Sequence, residues 1–212
     1  MKFACAVEAE DDTLNTKQKV YERLLEHLEM EGYLGEEDPD FKEANINNLV
    51  LHAIGPILTD SKRKTGRNIQ LMREKRIISS ESMTGGYEEF VMVDLVATKK
   101  NAFVLVVEAK RSNVGSAVRQ CLLALNYMRD ANGGGKVFGF ITTGEDWRVV
   151  VYDGNRFEMT EKFSILFDTV GKQRERWMRD YSALVDCMNV ALRNGGIIEG
   201  EHLAEFFRDN LA

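Results

Sequence analysis

Between residues 16 and 31 apolar side chains recur at Val20, Leu24, Leu25 and Leu28. That spacing predicts an amphipathic helix ending near Gly32. A second helical stripe over residues 41–58 runs through Ile46, Leu49, Val50, Ala53, Ile54 and Leu58. Asp40 is placed to cap it, and Pro56 is expected to distort its last turn. Past a basic stretch the period changes. Residues 76–82, 89–98 and 102–110 are β-branched, apolar runs separated by short turn signals, and they read as three consecutive antiparallel strands. A further helix is expected over 112–131, with Val114, Val118, Leu122, Leu125 and Met128 on one face, and the run Gly133-Gly134-Gly135 stops it. Strands follow at 136–143 and 147–154, and from about residue 161 the chain reads as mainly helical. The order is helix, three strands, helix, two strands, helices: an α/β fold with an antiparallel-led mixed sheet, read as a single domain over residues 1–212. The apolar positions of the C-terminal helix (Trp177, Met178, Leu184, Met188, Leu192) suit either the core or a homodimer interface.

Composition narrows the class. A chain of 212 residues with 44% hydrophobic content can bury one well-packed core. No stretch approaches the roughly 18 consecutive apolar residues of a membrane span, and the N-terminal segment turns acidic too soon for a secretory signal. Cys5, Cys121 and Cys187 are distant from one another and odd in number, which argues against a disulfide framework and suits an intracellular, reducing compartment. His27, His52 and His202 show no ligand-like spacing.

The net charge of −6 is unevenly spread. Residues 1–49 carry 13 acidic and 5 basic side chains, whereas residues 62–76 carry seven basic side chains against Glu74 alone. An acidic protein with one basic stretch can still bind a polyanion locally, although most charge runs are solvated surface.

The run Val104-Leu105-Val106-Val107-Glu108-Ala109-Lys110 then raises a chemical question. Residues two apart share a face of a strand, so Glu108 and Lys110 point the same way, as do Met92 and Asp94 on the strand before. A turn centred near Asn101 sets Asp94 directly across from Glu108, about 5 Å apart at Cβ. Two like charges so placed destabilise a sheet unless a cation lies between them, and a divalent ion with oxygen ligands meets that need. The alternative is an ion cluster on a solvent-facing edge, which the density of Val, Leu, Phe and Met in both strands disfavours.

Asp94, then thirteen residues, then Glu108-Ala109-Lys110 resembles the PD-(D/E)XK nuclease superfamily, the restriction-endonuclease-like fold. Val93 stands where that motif has its proline. Gln120, ten residues after Lys110 on the following helix, is similar to the glutamine element of RecB-like members, with Ala124 in place of the usual tyrosine. The resemblance covers residues 41–154 and leaves helical elaborations at 14–32 and 161–212 outside it. The closing strand pair also resembles the nuclease domains of crinkler-type effectors.

The resemblance implies a metal-dependent nuclease. Asp94, Glu108 and the Ala109 carbonyl would hold Mg²⁺ or Mn²⁺, which acidifies a water and neutralises charge on the scissile phosphate. Lys110 would orient that water or stabilise the transition state, and Gln120 would assist at a phosphate or a water. Glu43 is the candidate fourth ligand, with Glu81 as a contender; as a first-turn residue Glu43 is equally explained by the helix dipole. Arg63, Lys64, Arg67, Arg73, Lys75, Arg76, Arg111 and Arg119 become a phosphate-backbone track, for DNA in preference to RNA. The rival is a restriction-like fold without catalysis that binds nucleic acid or protein. A P-loop, a dinucleotide fingerprint and a nucleophile elbow are all absent from the sequence.

Overall fold

The structure is a computed structural model that describes residues 11–33, 42–77, 86–97, 100–111 and 114–197. It is a mixed α/β fold in which one open, mostly antiparallel sheet carries helices on both faces. Helices α1 (Asp11–Glu31) and α2 (Glu43–Thr65) lead into the meander β1 (Ile69–Ile77), β2 (Gly86–Ala97) and β3 (Lys100–Ala109). Helix α3 (Val114–Asn132) then crosses over so that β4 (Val137–Thr142) lies parallel to β3, as a parallel pair requires. β5 (Asp146–Tyr152) runs antiparallel to β4, and the short strands β6 (Phe157–Met159) and β7 (Phe163–Ser164) both pair with it. A short α4 (Arg174–Arg176) and a π-helical stretch, Trp177–Tyr181, lead into α5 (Ala183–Asn194).

Strand alternation divides the interior in two. Phe90, Met92, Leu105, Val107 and Phe140 face α1, α2 and α5, where they pack with Leu24, Ile54 and Met188. Val91, Val93, Val106, Ile141 and Val150 face α3, under Ala117, Cys121 and Leu125. β3 is thus apolar on both faces, as its unbroken hydrophobic run implies. Gly139 lets α3 approach closely: a Cβ there would lie 2.2 Å from the Cys121 sulfur. The apolar face of α5 (Leu184, Met188, Leu192) packs into the first of these cores, so it serves the chain's own interior.

Several boundaries differ from the sequence expectation. α2 does not falter at Pro56 but continues to Thr65, because Ile57 and Leu58 beyond the proline are buried. Asp60, also buried, accepts hydrogen bonds from Thr16 (2.6 Å) and Lys19 (2.9 Å) of α1 and so fastens that last turn. The basic run is therefore split. Lys62, Arg63 and Lys64 sit in the last turn of α2, where cations complement the helix dipole, and the first strand already begins at Ile69, while residues 78–82 of the expected strand lie outside the described residues. β6 and β7 are too short to leave a period in the sequence. Asp40 and the turn at 83–85 lie outside the described residues. Among the described residues no helix is long and apolar enough to cross a membrane.

Candidate active site

Glu108 lies one step before the end of the parallel ladder. It pairs with Ile141, Ala109 pairs with Thr142, and the Lys110 N–H donates to the Thr142 carbonyl at 3.0 Å. Alternation puts its side chain on the Val106 face, beneath α3. Cys121 sits over Gly139, which pairs with Val106, so the first turns of α3 lie at the level of Glu108. The result is a carboxyl group with 0% exposure whose two oxygens have no hydrogen-bond partner. A buried, unsatisfied carboxylate is costly, and native folds retain one only where something compensates or uses it.

Lys110 follows at the strand end, with its Nζ 3.9 Å from Glu43 Oε1. Glu43 is the acidic residue of the first turn of α2, where the dipole favours it. The structure therefore brings Glu43 to Lys110, just past the end of β3.

Asp94 is elsewhere. The expectation that it lies across from Glu108 is corrected by the register: Asp94 pairs with Ala102, and the hairpin closes at Ala97 and Lys100. β3 also bulges between the Met92–Leu105 and Val93–Phe103 pairs. Glu108 is six residues further along β3 than Ala102, roughly 20 Å away at about 3.3 Å per residue. The two acids also face opposite sides, since Asp94 follows Met92 toward α5 and Glu108 follows Val106 toward α3. Asp94 instead accepts a 2.7 Å hydrogen bond from Arg67 Nε. The same guanidinium donates to the carbonyls of Leu192 and Gly195 at the end of α5, at 2.5 and 2.8 Å. Arg67 is thus a structural clamp here. The acidic residue of β2 at the level of Glu108 is Glu89, one step from the Phe90–Val107 pair. Glu88 and Glu89 before Phe90 are visible in the sequence, but a turn centred at Asn101, two to three residues past the observed centre, sets Asp94 there instead.

The other candidates scatter. Gln120 is half-buried on α3 and Arg119 is exposed beside it. Arg63 is exposed, and Lys64 pairs with Asp60 at 3.8 Å. Arg73 lies exposed on β1 over the Phe90 ring. The β1 register carries Arg73, Lys75 and Arg76 to the Glu108 end of the sheet, opposite Phe90, Glu88 and Tyr87, while Arg67 stays at the Asp94 end. The side chains of Lys75 and Arg76, and Glu81 as a whole, lie outside the described residues. Arg111 is half-buried just past Lys110.

Among the described residues no three His, Cys, Asp or Glu side chains converge as a metal cluster. The donors at the end of β3 nonetheless fit a hard divalent ion in kind: an unpartnered carboxylate, a main-chain carbonyl at Ala109 and a second carboxylate, Glu43, near the adjoining lysine. Comparison with known protein families, with curated proteins and with solved structures gives no match.

Proposed function

We propose that the chain is a metal-dependent phosphodiesterase, on a restriction-endonuclease-like core, that hydrolyses nucleic acid at the end of β3. The observation that carries this reading is the buried, unpartnered carboxylate of Glu108 two residues before Lys110. The order α2, β1–β3, α3, β4 supports it, because it resembles the element order of the nuclease superfamily to which the Glu108-Ala109-Lys110 motif is similar.

Glu108 and the Ala109 carbonyl would hold Mg²⁺ or Mn²⁺, with Glu43 as the further acid. A divalent ion there supplies charge neutralisation at a phosphate and makes a water more acidic. Lys110 places an ammonium beside the reacting phosphoryl group and donates to its oxygens as charge builds on them. Gln120 holds a phosphate or a water from α3. Burial under α3 keeps bulk water from weakening these interactions. Asp94 has no part in this set. Arg73, Lys75, Arg76 and Arg111, at the same end of the sheet, meet the backbone of DNA in preference to RNA.

The test is incubation with single- and double-stranded DNA and RNA, with Mg²⁺ or Mn²⁺ and with chelator. Cleavage should need the ion and should fall by about a hundredfold or more in Glu108→Gln and in Lys110→Ala. Full-rate cleavage in both variants overturns the assignment. A second reading, a catalytically inactive module that binds nucleic acid or protein, is favoured by one observation: the motif aspartate is engaged by Arg67. It predicts chelator-insensitive binding without cleavage.

A further inference from the structure

A row of three residues crosses the sheet at the level of the proposed site. Glu108 pairs with Ile141 on β4, and Ile141 pairs with Arg148 on β5. Directly opposed residues share a face, so all three look toward α3, with Arg148 following the Val150 side of β5. At about 4.8 Å per strand the Glu108 and Arg148 backbones are roughly 10 Å apart. Arg148 is half-buried and, among the described residues, has neither a hydrogen bond nor an ion-pair partner.

Arg148 lines a cavity of about 130 Å³ together with Val114, Ile141, Thr142 and Thr143. That is roughly the volume of four liquid waters, enough for a phosphate group. The other charges of the cavity cancel, since Lys162 donates to Asp146 at 2.6 Å and Ser164 donates to the second oxygen of Asp146 at 2.5 Å. The Thr143 hydroxyl is buried with no partner. Val114 opens the 19-residue α3, whose first-turn N–H groups have no intrahelical acceptor and whose dipole favours an anion. An unpaired cation, an unpaired hydroxyl and a helix start thus adjoin one cavity, a strand away from an unpaired carboxylate. Arginine's planar fork matches phosphate oxygens two at a time.

We propose that this cavity is the phosphate subsite of the site at Glu108, with Arg148 as its binding residue for a backbone phosphate of the nucleic-acid substrate. The proposal rests on the nuclease reading for what occupies the Glu108 side. Its geometry also gives a sign: an anion held a strand away from a bare carboxylate is repelled, so phosphate binding strengthens when a divalent cation is present, and the cation binds more tightly in return.

The test uses a short fluorescein-labelled single-stranded DNA, followed by anisotropy with Ca²⁺ in place of Mn²⁺. Arg148→Gln should weaken binding about tenfold or more and flatten the salt dependence by about one phosphate contact. Arg148→Lys should recover part of the loss, and Lys172→Gln, on the exposed 3-10 turn Val170–Lys172 outside the cavity lining, should change nothing. In the wild-type protein the Arg148 Nε–H resonance should shift with thymidine 5′-monophosphate and not with thymidine. Unchanged affinity in Arg148→Gln, or no shift with the monophosphate, overturns the subsite even where Mn²⁺-dependent cleavage is seen. Arg148-dependent binding without any Mn²⁺-dependent cleavage upholds the subsite while the hydrolytic reading falls.

Discussion

Arg67 and Asp94 form an ion pair at 2.7 Å between the start of the sheet and its second strand, and the same guanidinium closes the end of α5. Both side chains are largely buried, with 15% and 13% exposure, so the pair is poorly screened. Removing one partner leaves the other charge or the Leu192 and Gly195 carbonyls unsatisfied.

Asp94→Ala and Arg67→Ala should each lower the unfolding free energy by about 1–3 kcal/mol. The double variant should cost less than the sum, because the two residues share one network. Urea unfolding with an unchanged slope measures this. Two additive effects near zero would mean that the clamp does not hold β2 to α5.

Glu108 should behave in the opposite way. In chelator, Glu108→Gln should be more stable than the wild type by about 1 kcal/mol, since a neutral amide costs less to bury than an unpartnered carboxylate. Thermal unfolding in EDTA checks it. A less stable variant would show that the carboxylate is a structural group.

These two acids also show what could be read from the chain. The period of the apolar positions gave the helices, the antiparallel meander and the crossover to β4, because each element buries a face whose spacing is visible. The register of β2 on β3 was not visible. It turns on where the hairpin closes and on a one-residue bulge, and moving the turn from Asn101 to the Ala97–Lys100 closure separates Asp94 from Glu108. Strand alternation gives Glu108 its face, whereas Lys110 lies just past the end of β3 and its approach to Glu43 of α2 is a tertiary contact that no sequence period encodes. The end of α2 was misjudged at Pro56 because the Asp60–Thr16 and Asp60–Lys19 contacts are tertiary. Arg148 leaves no signal in the sequence, because its unpaired state exists only in three dimensions.

Acid should destabilise the α1–α2 pair. Burial pushes the His27 pKa below its ordinary value of about 6.5; the Glu31 carboxylate opposes this and His52, whose ring lies 4.9 Å away, adds to it. The folded state then binds fewer protons than the unfolded one, so this contribution is full above the unfolded His value and is lost as pH falls through the folded one. Glu31 acts in the same direction lower down: burial alone would raise its pKa, but hydrogen bonds from Asn45 and Asn48 outweigh it, and the net shift is downward. Its contribution is present above the ordinary carboxylate range and disappears as pH falls through the depressed value. Urea midpoints should decline from pH 7 to pH 5, and His27→Gln should flatten that decline. An equal slope in the variant would contradict the assignment.

Gly139 should tolerate no side chain while Cys121 stands above it. Gly139→Ala is expected to cost about 1–3 kcal/mol by lifting α3 from the sheet. Adding Cys121→Ala should return part of that loss, because the sulfur is the closest atom to the new methyl group. Chemical denaturation of the two variants decides it, and failure of the double variant to recover would place the strain elsewhere.

The position of a divalent ion decides most directly between Glu108 and Asp94 as the metal-binding acid. Mn²⁺ titration followed by electron paramagnetic resonance, on the wild type, Glu108→Gln and Asp94→Asn, reads this without requiring turnover. The prediction is a site present in the wild type, abolished in Glu108→Gln and retained in Asp94→Asn. No site in the wild type, or a site that survives Glu108→Gln and vanishes with Asp94→Asn, would contradict it.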